Sequence, residues 1–402
     1  MRYTQDYKAG TEGARYVAFS SGLIDGFAPF YGAATPSLDI TPTQTCATGN
    51  ATGTTAAQVA ANCANGVLAP GVTSKGIIGP NGIITRHLGD SSGALTGGAG
   101  AEWTPTPDIF LYARYNRGYE ELTYNAGFVS IFPEVGPEFI NSYEVGYKQA
   151  FGHSASIDIA GFYYDYIGLQ LPISVSNNGL LQTKFINVPS STSAGVEFEG
   201  TWSPITDLLL TATYSYDYTA INTACAGTGV GAGFVAKANA LCLIDSNDPN
   251  GINAGAKPVG GPAGGVNQSI KGDALPNAPR NKFAVNVAYT WHFDPGNLTA
   301  SVSYVWRDRQ FGSVFTRRYD SAPSWDDVDF RALWKGPNDK YEIIGFVKNI
   351  FNTQQYETGD GGAGLLGTAT THTTATLGLN EVNVFTLAPP RTYGLEVRYK
   401  FF

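Results

Sequence analysis

The feature that most constrains this chain is a strict two-residue alternation of apolar and polar side chains, repeated in one segment after another. Leu208, Leu210, Ala212, Tyr214, Tyr216 and Tyr218 fall on one side of an extended backbone, and Thr211, Thr213, Ser215 and Asp217 on the other. Phe283, Val285, Val287, Tyr289 and Trp291 alternate with Lys282, Ala284, Asn286, Ala288 and Thr290. Leu298, Ala300, Val302 and Tyr304 do so with Thr299, Ser301 and Ser303, and Tyr393, Leu395, Val397, Tyr399 and Phe401 with Thr392, Gly394, Glu396, Arg398 and Lys400. No apolar run approaches the roughly 20 residues that a membrane-spanning helix needs. A spanning strand needs about ten residues with every second one apolar, so it leaves the mean hydropathy near zero, as it is here.

Composition agrees with a wall that has one face for lipid and one for water. Aromatic residues make up 13% of the 402, with 23 Tyr and 22 Phe, and there are 49 Gly. Charged residues are only 14%, against about 25% in an ordinary soluble domain. The formal net charge of −8 argues against nucleic acid as a partner.

Very short turns join the strands in pairs: Pro105 to Pro107, Gly152 to Ser154, Pro204 to Thr206, Phe293 to Gly296 and Gly336 to Asp339. Long loops rich in Gly, Thr, Asn and Pro separate the pairs, over about Ser21 to Gly98, Ala220 to Asn277 and Phe351 to Pro390. Short turns at one end and long loops at the other mark an outer-membrane barrel, with the short turns in the periplasm. These pairs, with one strand at each end, predict roughly 12 antiparallel strands. The hairpin at Trp103 to Tyr115 is echoed at Trp202 to Tyr214. Trp103, Trp202, Trp291 and Trp334 stand just before short turns, and Trp306 and Trp325 a strand's length away. Amphipathic rings belong at the headgroup level, so the six predict two interfacial girdles.

Several short stretches resemble, in order, the barrel of TonB-dependent receptors. They are Arg2-Tyr3-Thr4, Tyr112 to Tyr115 with Arg117-Gly118-Tyr119, Pro137-Glu138 with Ser142 to Lys148, Ala194 to Glu197, Pro276 to Pro279, Val347 to Asn352 and Pro390 to Gly394. The resemblance implies uptake of a scarce nutrient such as a ferric siderophore, cobalamin or an oligosaccharide, energised by TonB, in the outer membrane of a Gram-negative cell. It also implies a plug domain, a TonB-contacting motif and a barrel of about 22 strands. None of these is complete in this sequence, so residues 1–402 are expected to be the C-terminal portion of such a barrel, with plug and first strands lying elsewhere. A half barrel has open edges, and each unpaired backbone group in lipid costs several kcal/mol. The aromatic end, Tyr399, Phe401 and Phe402, resembles the signal read by the barrel-assembly machinery. Met1, the only methionine, is not followed by an apolar secretion core.

Other constellations are weaker. Cys46 and Cys63 share one long loop, and Cys225 and Cys242 another, each pair 17 apart. An oxidising surface favours two loop disulfides over four free thiols, and the absence of CxxC spacing disfavours zinc. His87, His153, His292 and His372 are scattered; the middle two sit at short turns, where solvation suffices. Gly359 to Gly364 does not join a strand to a helix, so it reads as linker rather than phosphate loop. Asp245 to Asn250 has calcium-like oxygens spoiled by Pro249. Arg117, Tyr119, Arg309, Arg317, Arg318 and Tyr319 flank the long loops, where Arg forks beside aromatic rings suit an anionic or polyhydroxylated ligand. The same arginines could instead meet the phosphates of lipopolysaccharide. No cofactor or resident metal is called for. The competing readings are a small passive porin, which would conduct ions by itself, and an outer-membrane lipid hydrolase. The hydrolase needs a Ser and His pair near the outer lipid face, where His292 does not lie.

Overall fold

A computed structural model describes residues 1–14, 17–18, 38–39, 76–78, 84–125, 134–177, 180–224, 235–237, 240–243, 268–363 and 381–401. Twelve strands carry the wall. In chain order they are β1 (Arg2–Ala14), β2 (Ile84–Thr106), β3 (Ile109–Glu120), β4 (Glu138–Phe151), β5 (Ala155–Asn177), β6 (Leu180–Trp202), β7 (Leu208–Ile221), β8 (Asn281–Phe293), β9 (Gly296–Arg307), β10 (Trp325–Lys335), β11 (Tyr341–Lys348) and β12 (Thr392–Tyr399). Each is hydrogen-bonded to the next, antiparallel from β2 to β3 and at every step from β4 to β12. No helix of the described residues is long and apolar enough to cross a membrane. The fold is thus the all-β antiparallel meander that the alternation predicts.

The chain divides into two compact units. The larger holds Met1, 96–119 and 138–402, and so most of the wall. The smaller holds 2–95 and 120–137. In it Gly89 lies against Tyr7 and Gly93 against Thr4, and Lys8 ties in Glu121 by an ion pair of 2.8 Å.

All five short turns form where the sequence places them. Gly152 and Asn338, at φ +58° and +54°, supply the left-handed residues that tight reversal needs. The long loops differ from expectation. Residues 84–98 are strand, because β2 begins at Ile84; their Gly and Ser hide the alternation, and backbone pairing rather than side-chain pattern makes the strand. Within 351–390, Tyr356–Ala363 pairs with Glu381–Leu387, so Gly359 to Ala363 is strand rather than linker. Gly312 packs directly on this strand: a Cβ there would strike the Gly359 carbonyl oxygen. Within 220–277, Val235–Lys237 pairs with Ala240–Cys242.

β5 and β6 are 23 residues each, about twice what a tilted strand needs to cross a bilayer. Their ladder runs on past Gly168, whose φ of +70° admits only glycine readily. Beyond it Leu169 faces Val188 and Leu171 faces Ile186. With Ile173 they pack on Ile221, Leu243, Ile270, Val314 and Phe315, a small apolar core at the loop end. Water replaces lipid at that height, so apolar side chains need protein cover.

Gly195 shows how tightly the wall is drawn. A Cβ there would run into the Tyr216 carbonyl oxygen and the Phe162 ring, whereas one on Gly161 meets nothing nearer than 3.8 Å. Gly195→Ala should therefore cost about 1–3 kcal/mol through a shifted β6–β7 ladder, and Gly161→Ala close to nothing. Denaturant midpoints of the two variants in detergent check this.

Candidate functional site

The registers put all the apolar series on one face of the sheet. Leu210 lies opposite Val287, Val287 opposite Val302, Val302 opposite Phe330, Phe330 opposite Val347 and Val347 opposite Tyr393. The row crosses six strands without a polar interruption, as an outward face in lipid requires. Trp103, Trp202, Trp291, Trp306 and Trp334 share that outward parity. Trp325 does not: it lies opposite Arg307 and points to the other, polar face. The girdle expectation fails for this residue because Trp325 and Trp334 differ by an odd number of positions.

The inner face carries polar pairs among a few apolar side chains such as Phe162, Ile344 and Phe346. Lys148 pairs with Asp158, Asn286 donates to Ser303 at 2.6 Å and Ser193 to Asp217 at 2.7 Å. A groove of about 620 Å³ runs along it between Asn286, Ser301, Asp329, Arg331 and Lys348.

At the loop end of this inner face sits a dense polar cluster. Arg307, at the close of β9, is only 5% exposed. Its guanidinium lies over the Trp325 ring, 5.3 Å from the centroid, and donates to the Tyr356 carbonyl oxygen. Asp327 follows Trp325 on the same face, and Gln355 lies against its carboxyl. Arg307 Nε, Trp325 Nε1, Asp327 Oδ1 and Gln355 Nε2 are all buried without a hydrogen-bond partner among the described residues. Leaving one such group unpaired costs about 1–3 kcal/mol. Together they present three N–H donors, one of them cationic, and one carboxylate acceptor, with the Gln355 side chain within reach of the Asp327 carboxyl.

The sequence-predicted ligand residues fall in different places. Arg117 and Tyr119 meet at the Phe139 ring, with centroid distances of 4.9 Å and 5.4 Å, on the outward face. Arg309 is exposed beyond β9, its backbone N–H bonded to Asp308 Oδ1 at 2.8 Å. Arg317 is 5% exposed and turned inward, donating to Gln268 Oε1 at 3.0 Å with Asp273 3.9 Å away. Arg318 is exposed in a single 3-10 turn, Arg318–Asp320; the side chain of Tyr319 lies outside the described residues. Only Arg117 and Tyr119 come together. Sequence reading missed Arg307, Asp327 and Gln355, although the parity of Arg307 beside Trp306 gives the inward direction of the first.

Cys46, Cys63, Cys225, the Cys242 side chain, the His87 side chain, His372, 245–250 and Phe402 also lie outside the described residues. His153 is exposed in its turn. His292 is held rather than free, between Asp207 Oδ1 at 2.9 Å and Asn297 Oδ1 at 2.8 Å. Tyr399 and Phe401 stack edge to face at 5.1 Å.

Asp273 gives the loop core a pH dependence. Burial raises its carboxyl above the ordinary 3.8, opposed only in part by hydrogen bonds from Thr316 and by the Arg317 charge. A raised carboxyl favours the protonated fold, so stability present below the ordinary value is lost as pH rises through the raised one. Protection of the Thr316 amide in hydrogen exchange, corrected for intrinsic rate, should be greater at about pH 4 than at about pH 7. Asp273→Asn should flatten the difference.

A one-sided antiparallel meander with a lipid-suited outer face, a polar inner face, short turns at one end and a folded loop core at the other is the wall of an outer-membrane β-barrel. The sequence matches the profile of the family described as TonB dependent receptor-like, beta-barrel, over residues 72–350, and the chain belongs to that family. Its members are outer-membrane transport receptors. Among solved structures, the chain is similar to the ferric yersiniabactin uptake receptor FyuA from Yersinia pestis, at TM-score 0.56 and 16% identity over 80% of this chain and 40% of that one. It is similar also to the siderophore receptor PiuA from Acinetobacter baumannii, at 0.52 and 15% over 81% and 38%, and to the copper transporter OprC, at 0.52 and 13% over 78% and 40%. These likenesses are of fold. The chain spans about two fifths of the length of these proteins. No curated protein matches it.

Proposed function

We propose that residues 1–402 form the C-terminal wall of a receptor that takes up a small, scarce, anionic or hydroxyl-rich nutrient, of the ferric-siderophore class, with energy delivered through TonB. The family match carries this reading, and the polar cluster at the inner mouth supports it. In it, the ligand's carboxylate or hydroxyl oxygens accept from Arg307 Nε, Trp325 Nε1 and Gln355, while a ligand hydroxyl donates to Asp327. Such charge-assisted bonds gain strength where water is excluded. The wall then holds the ligand while a plug, supplied by segments outside 1–402, moves under TonB. Tyr399, Phe401 and Phe402 present the end of the last strand to the barrel-assembly machinery. Arg309 and Arg318, exposed at the loop end, lie where an arriving anion first meets the protein.

The test is growth. Iron-starved cells whose only chelate receptor contains this wall are supplied with a panel of ferric siderophores, with and without TonB. TonB-dependent growth on one of them is expected. Steady ion conductance by the purified protein in planar bilayers, with no TonB-dependent growth, would replace this reading with that of a passive porin.

A further inference from the structure

The short turns are linked to their neighbours by backbone contacts along one end of the wall, and at one link the contact also runs through an ionisable side chain. Ser203, which opens the β6–β7 turn, donates its amide to the Ser154 carbonyl oxygen in the β4–β5 turn at 2.6 Å. On the other side of the same turn, the Asp207 carbonyl oxygen accepts from the Thr290 amide of β8 at 2.9 Å. Beside that bond stands His292, whose Nε2 lies 2.9 Å from Asp207 Oδ1 and whose Nδ1 lies 2.8 Å from Asn297 Oδ1 on β9. Asn297 is the register partner of His292, so pairing of β8 with β9 already places that second contact.

Both ring nitrogens thus face oxygen acceptors. An imidazole carries one N–H when neutral and two when protonated, so only the imidazolium donates along both lines as they stand. A neutral ring keeps both contacts only if the Asn297 amide turns over to offer Nδ2. Asp207 holds φ at +69°, a left-handed conformation that Asp tolerates at some cost, and its two bonds to β8 hold it there. The other charged or titratable groups around the ring, among the described residues, are turned elsewhere or exposed. Lys335, opposite Asn297 in register, reaches Glu342 at 3.5 Å, and Glu342 meets Arg398 at 3.8 Å. Asp294 is exposed in the β8–β9 turn and His153 in the β4–β5 turn.

We propose that His292 is a pH-sensitive clasp between the β6–β7 turn and the β8–β9 hairpin, closed while the ring carries both protons and open once it has lost one. On the barrel reading the clasp sits at the periplasmic rim, and it rests on neither the nutrient nor TonB. Closed, it joins the β4–β5 turn, the β6–β7 turn and the β8–β9 hairpin into one stiff arc. Open, it frees the Asp207 carboxylate to solvent and leaves the β6–β7 turn only its Thr290 bond on that side. An ordinary histidine loses its proton at about pH 6.5. A contact that needs the proton is therefore present below that range and lost above it, while Asp207 stays ionised down to about pH 4.

Hydrogen exchange at the Thr290 amide, in the protein held in detergent micelles, reads the clasp. Protection corrected for the intrinsic rate is expected to be greater at about pH 5.5 than at about pH 8, by about threefold or more. His292→Gln should remove the difference. So should Asp207→Gly, which deletes the carboxylate and keeps a residue suited to the left-handed turn. Asn297→Asp, which has no amide to turn over, should keep the difference or enlarge it. Equal protection at both pH values in the wild type overturns the proposal. If Asn297→Asp alone then shows a difference, a neutral ring and a turned Asn297 amide hold the two turns together at every pH. A difference that survives in His292→Gln overturns it as well, since the dependence would belong to another group. If His292→Gln lowers folded yield, Asp207→Gly decides.

Discussion

Arginine in place of Val302 should cost the wall about 2–4 kcal/mol of folding free energy in a bilayer, while arginine in place of the adjacent Ser303 should cost little. Val302 stands in the middle of the outward row, between Val287 and Phe330, and is 46% exposed to what surrounds the protein. A guanidinium there has no partner and no route to water shorter than half the acyl layer. Ser303 faces the inner side, where it already accepts a hydrogen bond from Asn286 and where Asp329 lies opposite. Surface yield of folded, heat-modifiable protein in outer membranes separates the two variants. Equal loss from both, or loss from Ser303→Arg alone, would mean that the faces are assigned the wrong way round.

Arg307→Ala should weaken binding of the nutrient by about ten- to a hundredfold, corresponding to the roughly 1.5–3 kcal/mol of a hydrogen bond to a charged group. The substitution removes a guanidinium that is stacked on Trp325 and anchored on the Tyr356 carbonyl. It leaves the Trp325 ring and the Tyr356 carbonyl without their guanidinium, so an anionic ligand loses its cationic donor. Binding of a labelled ferric chelate to de-energised cells, normalised to receptor at the surface, reads the effect apart from TonB. A mere packing role would lower receptor number and leave affinity per receptor unchanged. Arg307→Lys, which keeps the charge but loses the flat fork, should recover only part of the affinity.

What was legible in the sequence was whatever the strand writes locally. Period-two alternation at Leu208 to Tyr218 and Phe283 to Trp291 gives the faces, and the short turns give the hairpins, because both need only neighbours a few residues apart. Residues 84–98 were not legible as strand, since Gly and Ser carry no pattern and the pairing comes from elsewhere in the chain. Trp325 stands as near the loops as a girdle ring does, but its odd separation from Trp334 turns it to the inner face. The mouth cluster was invisible for a deeper reason: Arg307, Asp327 and Gln355 come from three segments that only the pairing of β9 with β10 and the fold of 350–356 bring together.

The β5–β6 ladder has a mechanical meaning. Its pairs run without a slip of register from Ala155 opposite Trp202, at the short-turn end, to Asn177 opposite Leu180, at the far tip. A two-stranded ribbon of that length, clamped between β4 and β7 below and by Ile221, Ile270 and Val314 above, behaves as a post set in a wall. It cannot swing aside to admit a ligand without breaking cross-strand bonds along its stem. On the uptake reading proposed above, a ligand passes beside this post rather than displacing it.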